Sequence, residues 1–197
     1  VQVQTEEVKS AGRKVASLEE FLNIAKEDFH EAYRIFTERH FSLILSDQSE
    51  KIRSLYAGMS QQPVTYQHLE EFLIAAGAKE KVTLSLNREE AGFYDISESV
   101  QESLYIHRSG WGHLRADIEV NGDFLEAGKH VVTEEDFIGS TCEINYVIRQ
   151  EKLGKGNQYG EIIVKTPYQK LVYHVLASRG TESAVNLDLL EKQYRIS

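Results

Sequence analysis

The sequence predicts an α+β protein in series, a small N-terminal helical bundle followed by an antiparallel β-sandwich of seven or eight strands. Three observations carry this. From Ser17 to about Gly77 the apolar residues recur at three- and four-residue steps, the period of a helix with one buried stripe. After Lys81 the period drops to two, as in strands buried on one face. Between these strands no helical pattern intervenes, so the crossover helices that a parallel sheet requires are missing.

The elements follow in order. Residues 1–15 form a polar tail or linker. The segment 16–80 carries about three helices. The first opens at Ser17, whose spacing to Glu20 is that of a capping box, and its stripe of Leu18, Phe21, Ala25, Phe29, Ala32 and Phe36 predicts one helix running to about Leu45. A second stripe holds Ile52, Leu55, Tyr56 and Met59. The third helix follows Pro63 and Thr65, turns Leu69, Phe72 and Leu73 inward, and stops at Gly77.

Residues 81–178 are the β segment. "KVTLSLN" alternates Val82, Leu84 and Leu86 against polar neighbours, and "LRADIEV" does the same with Leu114, Ala116, Ile118 and Val120. "CEINYVI" sets Cys142, Ile144, Tyr146 and Ile148 on one face. "EIIVKT" and "KLVYHVLA" complete the series, the latter sharing Leu171, Tyr173, Val175 and Ala177 on one face. Shorter strands are expected at 92–96, 103–107 and 130–133, with a single helical turn at "TEEDF". Residues 179–197 read as a linker and the start of a further helix, with Asn186 as N-cap and Leu187, Leu190 and Tyr194 on one side.

Charge and composition exclude several classes. Eleven acids face eight bases over residues 13–80, and fifteen face ten over 81–178, with no basic stripe in either, so no nucleic-acid partner is expected. No apolar run reaches the roughly 18–20 residues of a membrane span. The single Cys142 excludes an internal disulfide and a Cys-rich zinc site, and leans toward a reducing, cytoplasmic compartment. The polar opening from Val1 has neither an initiator Met nor a signal-peptide core, so a segment cut from a longer protein is expected.

The stretch "KLGKGNQYGEIIVKTP", Lys152 to Pro167, raises the question of a phosphate loop. Such a loop follows a strand and opens a helix whose amides hold the phosphate. Here Gly154, Gly156 and Gly160 follow one strand and open another, so the glycines are expected to supply the turn of a β-hairpin.

Trp111 before "LRADIEV", then "TEEDFIGS", "CEINYVI" and the hairpin "GNQYGEIIVKTPYQKLVYHVLA" together resemble bacterial immunoglobulin-like sandwich modules, near the fibronectin type III and BACON-type domains. The paired cysteines of antibody domains are absent. "YQHLEEFLIAAGAKEKVTLSLN" and "DFIGSTCEINYVI" also resemble segments of large multidomain proteins of unknown function from anaerobic Firmicutes. Neither resemblance brings catalytic residues. The BACON likeness implies glycan adhesion.

The candidate chemistry is sparse. Seven histidines lack the His-x-His or His-Glu-x-x-His spacing of a metal site, so neither metal nor cofactor is expected. Glu134, Glu135 and Asp136 are explained by a turn that Thr133 caps. Cys142 falls on a buried strand face, where a thiol is inert. The aromatics remain. Trp111, Tyr105, Tyr159 and Tyr168, with Tyr94, are candidates for a platform on which sugar rings stack, against core packing for Trp111. The expectation is a non-catalytic structural or protein-interaction module that docks other domains of its parent chain or a protein partner. The alternative is a carbohydrate-binding module using those aromatics. No nucleophile, base and donor constellation points to an enzyme.

Overall fold

Short polar side chains cap the starts of four of the five described helices. The computed structural model describes residues 14–180; the tail 1–13 and the helix expected from Asn186 lie outside the described residues. Two compact units emerge. Of the described residues, one takes 14–82 together with Gly110–His113, and the other takes Thr83–Ser109 with 114–180.

The first unit is helical. α1 (Leu18–Glu27) is capped by Ser17, whose hydroxyl accepts from the Glu20 N–H at 3.2 Å. The Glu20 carboxylate closes back on the Ala16 N–H at 3.1 Å rather than on that of Ser17, so the box is shifted by one residue. The single helix expected to Leu45 is broken at Asp28. Its backbone is extended, and its N–H ends α1 on the Ile24 carbonyl. Its carboxylate accepts from the Glu31 N–H at 3.1 Å and so starts α2 (Phe29–Phe36). A short carboxylate that competes for backbone N–H groups favours such a break, and the apolar stripe runs across it undisturbed.

α3 (Phe41–Ile44) is a single turn, α4 (Glu50–Met59) is capped by Ser49, and α5 (Tyr66–Ala75) by Thr65. Thr65 accepts from the His68 N–H at 3.2 Å, and His68 Nδ1 accepts from the Thr65 N–H at 3.1 Å, a reciprocal cap with imidazole in the place of a carboxylate. α5 stops as expected at Gly77, where φ is +75° and the Ala78 N–H reaches back to the Leu73 carbonyl. The core of this unit is aromatic. Phe41 sets its ring 4.6 Å from Phe21, 5.1 Å from Phe36 and 5.7 Å from Phe72, each edge to face.

The second unit holds nine strands among the described residues: β1 (Thr83–Leu86), β2 (Glu90–Ile96), β3 (Val100–Ser109), β4 (Arg115–Asn121), β5 (Leu125–Ala127), β6 (Val131–Thr133), β7 (Thr141–Ile148), β8 (Asn157–Lys165) and β9 (Lys170–Arg179). They form a four-stranded sheet in the order β1-β3-β7-β5 and a five-stranded sheet in the order β2-β9-β8-β4-β6. The chain is therefore α+β with its helices N-terminal. The alternation read from the sequence holds: Cys142, Ile144, Tyr146 and Ile148 are all buried on one face of β7. The buried faces of the two sheets meet at Tyr146 and Tyr173, whose hydroxyls share a 2.8 Å hydrogen bond.

Three expectations fail here, the first being the number of strands, nine among the described residues rather than seven or eight. The pairing is not wholly antiparallel, because β2 lies parallel to β9, with Gly92 opposite Leu176. The β7–β8 connection is not a hairpin either. Both edges of β7 are already taken, by β3 and β5, so the chain crosses to the other sheet through a 3-10 turn at Gln150–Lys152 and the buried Leu153. Gly156 does supply a positive φ of +75° in that crossing. The hairpin lies one connection later, where β8 and β9 pair from Asn157 opposite Ser178 to Lys165 opposite Lys170. The turn at Glu134–Asp136 forms as expected, with Asp136 accepting from the Thr133 N–H at 2.8 Å.

Candidate binding face

The outward face of the five-stranded sheet carries the candidate site. Register sets its residues in rows across the strands. One row runs Gly92, Leu176, Tyr159 across β2, β9 and β8. The next runs Glu90, His174, Glu161, Asn121 across β2, β9, β8 and β4. With Arg88 and Tyr94, these rows line a groove of about 720 Å³, inside the range of roughly 300–1,000 Å³ typical of small-molecule sites.

Tyr94 and Tyr159 dominate the groove, exposed by 61% and 77%. Tyr94 shares a strand face with Gly92, two residues earlier, and its ring folds back over that glycine. A methyl group on Gly92 would meet Cε2 and the hydroxyl of Tyr94 at 2.8 Å. Just beyond Tyr94 the strand bulges at Asp95, whose φ is +54°, and the Asp95 N–H is held by the Ser178 hydroxyl at 3.0 Å. A bulge at a sheet edge re-aims the side chain beside it, and Asp tolerates the left-handed backbone better than most residues. In the polar row, His174 Nδ1 lies 3.8 Å from a Glu161 carboxylate oxygen.

The structure does not gather the four aromatics that the sequence nominates. Trp111 is half-buried and packs against the core of the helical unit, where the Lys79 ammonium sits 4.9 Å from its ring centre. Tyr105 stands on β3 in the four-stranded sheet, 38% exposed, its hydroxyl 3.5 Å from Glu143. Tyr168 occupies the turn between β8 and β9, partly buried, with its N–H on the Thr166 hydroxyl at 3.2 Å. Of the tyrosines considered, Tyr94 and Tyr159 share one groove.

The histidines are dispersed. His107 Nδ1 meets the Thr141 hydroxyl at 2.9 Å, and the His113 ring stacks on Phe29 and Tyr66. Among the described residues no cluster of three or more His, Cys, Asp or Glu has the geometry to hold a metal. Asp136 pairs with Lys129, and that ammonium, with the Thr133 N–H, holds its carboxyl below the usual Asp range. Burial pushes the Cys142 thiol up.

One polar device escaped the sequence reading. Within the helical unit Glu70 and Lys79 form an ion pair with both side chains 1% exposed. Lys79 also donates to the Trp111 carbonyl, and Glu70 Oε2 accepts from the His113 N–H at 3.2 Å. Burial pushes the Glu70 carboxyl up, opposed by Lys79 and that N–H. The signal was faint. In "HLEEFL", Glu70 follows Leu69 and falls on the same inward stripe as Leu73, a buried helix position that calls for a cation.

The sequence family described as "Family of unknown function (DUF5717) N-terminal" matches residues 1–195. No curated protein matches the chain. Among solved structures, WR4, a C. elegans MSP family member, aligns at 5% identity and a TM-score of 0.34, over 49% of this chain and 97% of that one. The VesB protease of Vibrio cholerae aligns at 8% identity and a TM-score of 0.32, over 48% of this chain and 31% of that one.

Proposed function

The chain belongs to the N-terminal DUF5717 family of unknown function, and for it we propose a non-catalytic interaction module whose docking surface is the outward face of the five-stranded sheet. The β unit is read as an immunoglobulin-like sandwich of the fibronectin III or BACON kind, set within a larger bacterial multidomain protein. The partner is another domain of that parent or a separate molecule.

One observation carries the reading: Tyr94 and Tyr159 stand 61% and 77% exposed over a single groove flanked by polar side chains. Large aromatics left in water at a concave surface mark contact sites, because their burial by a partner releases much apolar area at small entropic cost.

The test is site-specific photo-crosslinking in cells. A benzophenone side chain at position 159 is expected to give a discrete adduct that the same group at position 105, on the other sheet, does not. No adduct at 159, or equal adducts at both positions, overturns the reading.

A further inference from the structure

We infer that the partner docks as an extended polypeptide strand carrying Lys or Arg, added to the outer edge of β2. This rests on the interaction-module reading above and names the partner's form.

The edge offers a row of backbone groups. β2 closes one side of the five-stranded sheet, with β9 as its neighbour. The two strands are parallel, and the His174 N–H donates to the Glu89 carbonyl at 2.8 Å. In a parallel ladder each residue turns its N–H and C=O to the same side, and successive residues alternate. Glu89, Ala91 and Phe93 therefore face β9, and Glu90 and Gly92 point their groups off the sheet. No hydrogen bond among the described residues takes those groups, and both residues are exposed. Gly92 puts no side chain in the middle of this edge, a position where a second backbone can approach closely. The bulge after Phe93 ends the run.

The other three edges are closed or short. On β1 the Leu84 N–H donates to Gln169 Oε1 at 2.7 Å, and the Leu84 carbonyl accepts from Gln169 Nε2 at 3.1 Å. A side-chain amide already sits where an added strand would pair. β5 and β6 have three residues each, short of the roughly five or six of an ordinary strand.

Charge chooses the partner. Within residues 88–98, Glu89, Glu90, Asp95 and Glu98 stand against one base, Arg88. Two copies of this chain joined through the edge would bring acid against acid, whereas a strand bearing Lys or Arg is drawn in and paired. Glu90, Gly92 and Tyr94 also line the groove, so alternate side chains of an added strand run along its rim.

The probe is a phage-displayed library of random dodecapeptides selected on the full chain. The winning peptides are synthesised, titrated, and mapped by amide hydrogen exchange. They are expected to carry Lys or Arg at alternate positions and to slow exchange of the Glu90 and Gly92 amides about tenfold or more. N-methylating alternate peptide residues is expected to weaken binding about tenfold in one register and little in the other, since one edge of the peptide joins the ladder. Glu90→Pro is expected to weaken it to a similar degree. Its N–H points away from β9, so proline leaves the sheet paired, and slow native labelling of Cys142 checks this. Tyr105→Ser leaves affinity unchanged. Peptides that lack Lys and Arg, that leave the Glu90 and Gly92 amides unprotected, or that tolerate N-methylation in both registers overturn the inference. Self-association of the chain that protects these amides overturns it too. If position 159 cross-links to a partner while no selected peptide protects the edge, the strand reading falls and the interaction module stands. If neither occurs, both fall.

Discussion

Lys79 and Glu70 neutralise each other out of reach of water: each side chain is 1% exposed, and the ammonium also donates to the Trp111 carbonyl. Removing one partner strands the other charge. Lys79→Met is expected to destabilise the helical unit by about 3–5 kcal/mol. The double variant Glu70→Leu/Lys79→Met is expected to be more stable than the sum of the single losses, because no lone charge stays buried. It stays below the wild type, since the Trp111 carbonyl and the His113 N–H lose their side-chain partners. Trp111 is the single tryptophan and packs in this unit, so urea titration followed by its fluorescence reads the effect directly. Additive losses would sink the argument.

Gly112 and Gly77 separate backbone strain from packing. Both have positive φ, +104° and +75°. A Cβ on Gly77 meets nothing within 4 Å, whereas one on Gly112 meets the Lys79 ammonium and, at 2.7 Å, Glu70 Oε2. Gly77→Ala is expected to cost about 1–2 kcal/mol from the left-handed backbone alone. Gly112→Ala is expected to cost more, because it also pries the buried pair apart. Equal losses in denaturation would show that Gly112 answers only to its backbone.

Cys142 is 1% exposed on β7, and burial raises its thiol above the ordinary value. A neutral, enclosed thiol reacts only when the sheet opens. Labelling by Ellman's reagent is expected to be slow in native buffer and to accelerate steeply with urea. Rapid native labelling would contradict the placement of this strand face.

Asp136 supplies a pH signature. The Lys129 ammonium, then the Thr133 N–H, hold its folded carboxyl below the unfolded value. A depressed carboxyl contributes stability that is present above the unfolded pKa, about 3.9, and is lost as pH falls through the lower folded value. Asp136→Asn is therefore expected to be less stable than wild type at neutral pH, with the gap closing below about pH 4. Salt narrows the gap at neutral pH, since the Lys129 side chain is 42% exposed. A difference that stays constant with pH would assign the loss to packing instead.

Much of the architecture is legible in the chain because its causes are local. The period of two in "CEINYVI" and "KLVYHVLA" identifies strands and their buried faces, and Gly77 ends its helix for a backbone reason visible in one residue. Asp28 caps the second helix, yet the apolar stripe passing through it reads as continuous helix. Periodicity records which face is buried and is silent on a one-residue interruption.

Pairing and convergence belong to the tertiary structure. That β8 abandons β7 for β9, and that β2 lies parallel to β9, depends on which sheet edges are already occupied, a property of the assembled sheets. The same holds for the site. Tyr94 and Tyr159 lie far apart in sequence and share a groove only because β9 sits between their strands. Trp111 and Tyr105, equally aromatic, are sent elsewhere by the same assembly. The sequence by itself determined the division into a helical and a β segment and the inward faces of the longer strands, because backbone propensity and burial act over a few residues. Only the tertiary structure decided that the Glu70–Lys79 pair closes on Trp111 and His113 and that Tyr94 shares a groove with Tyr159, because those contacts form between segments whose approach no local pattern encodes.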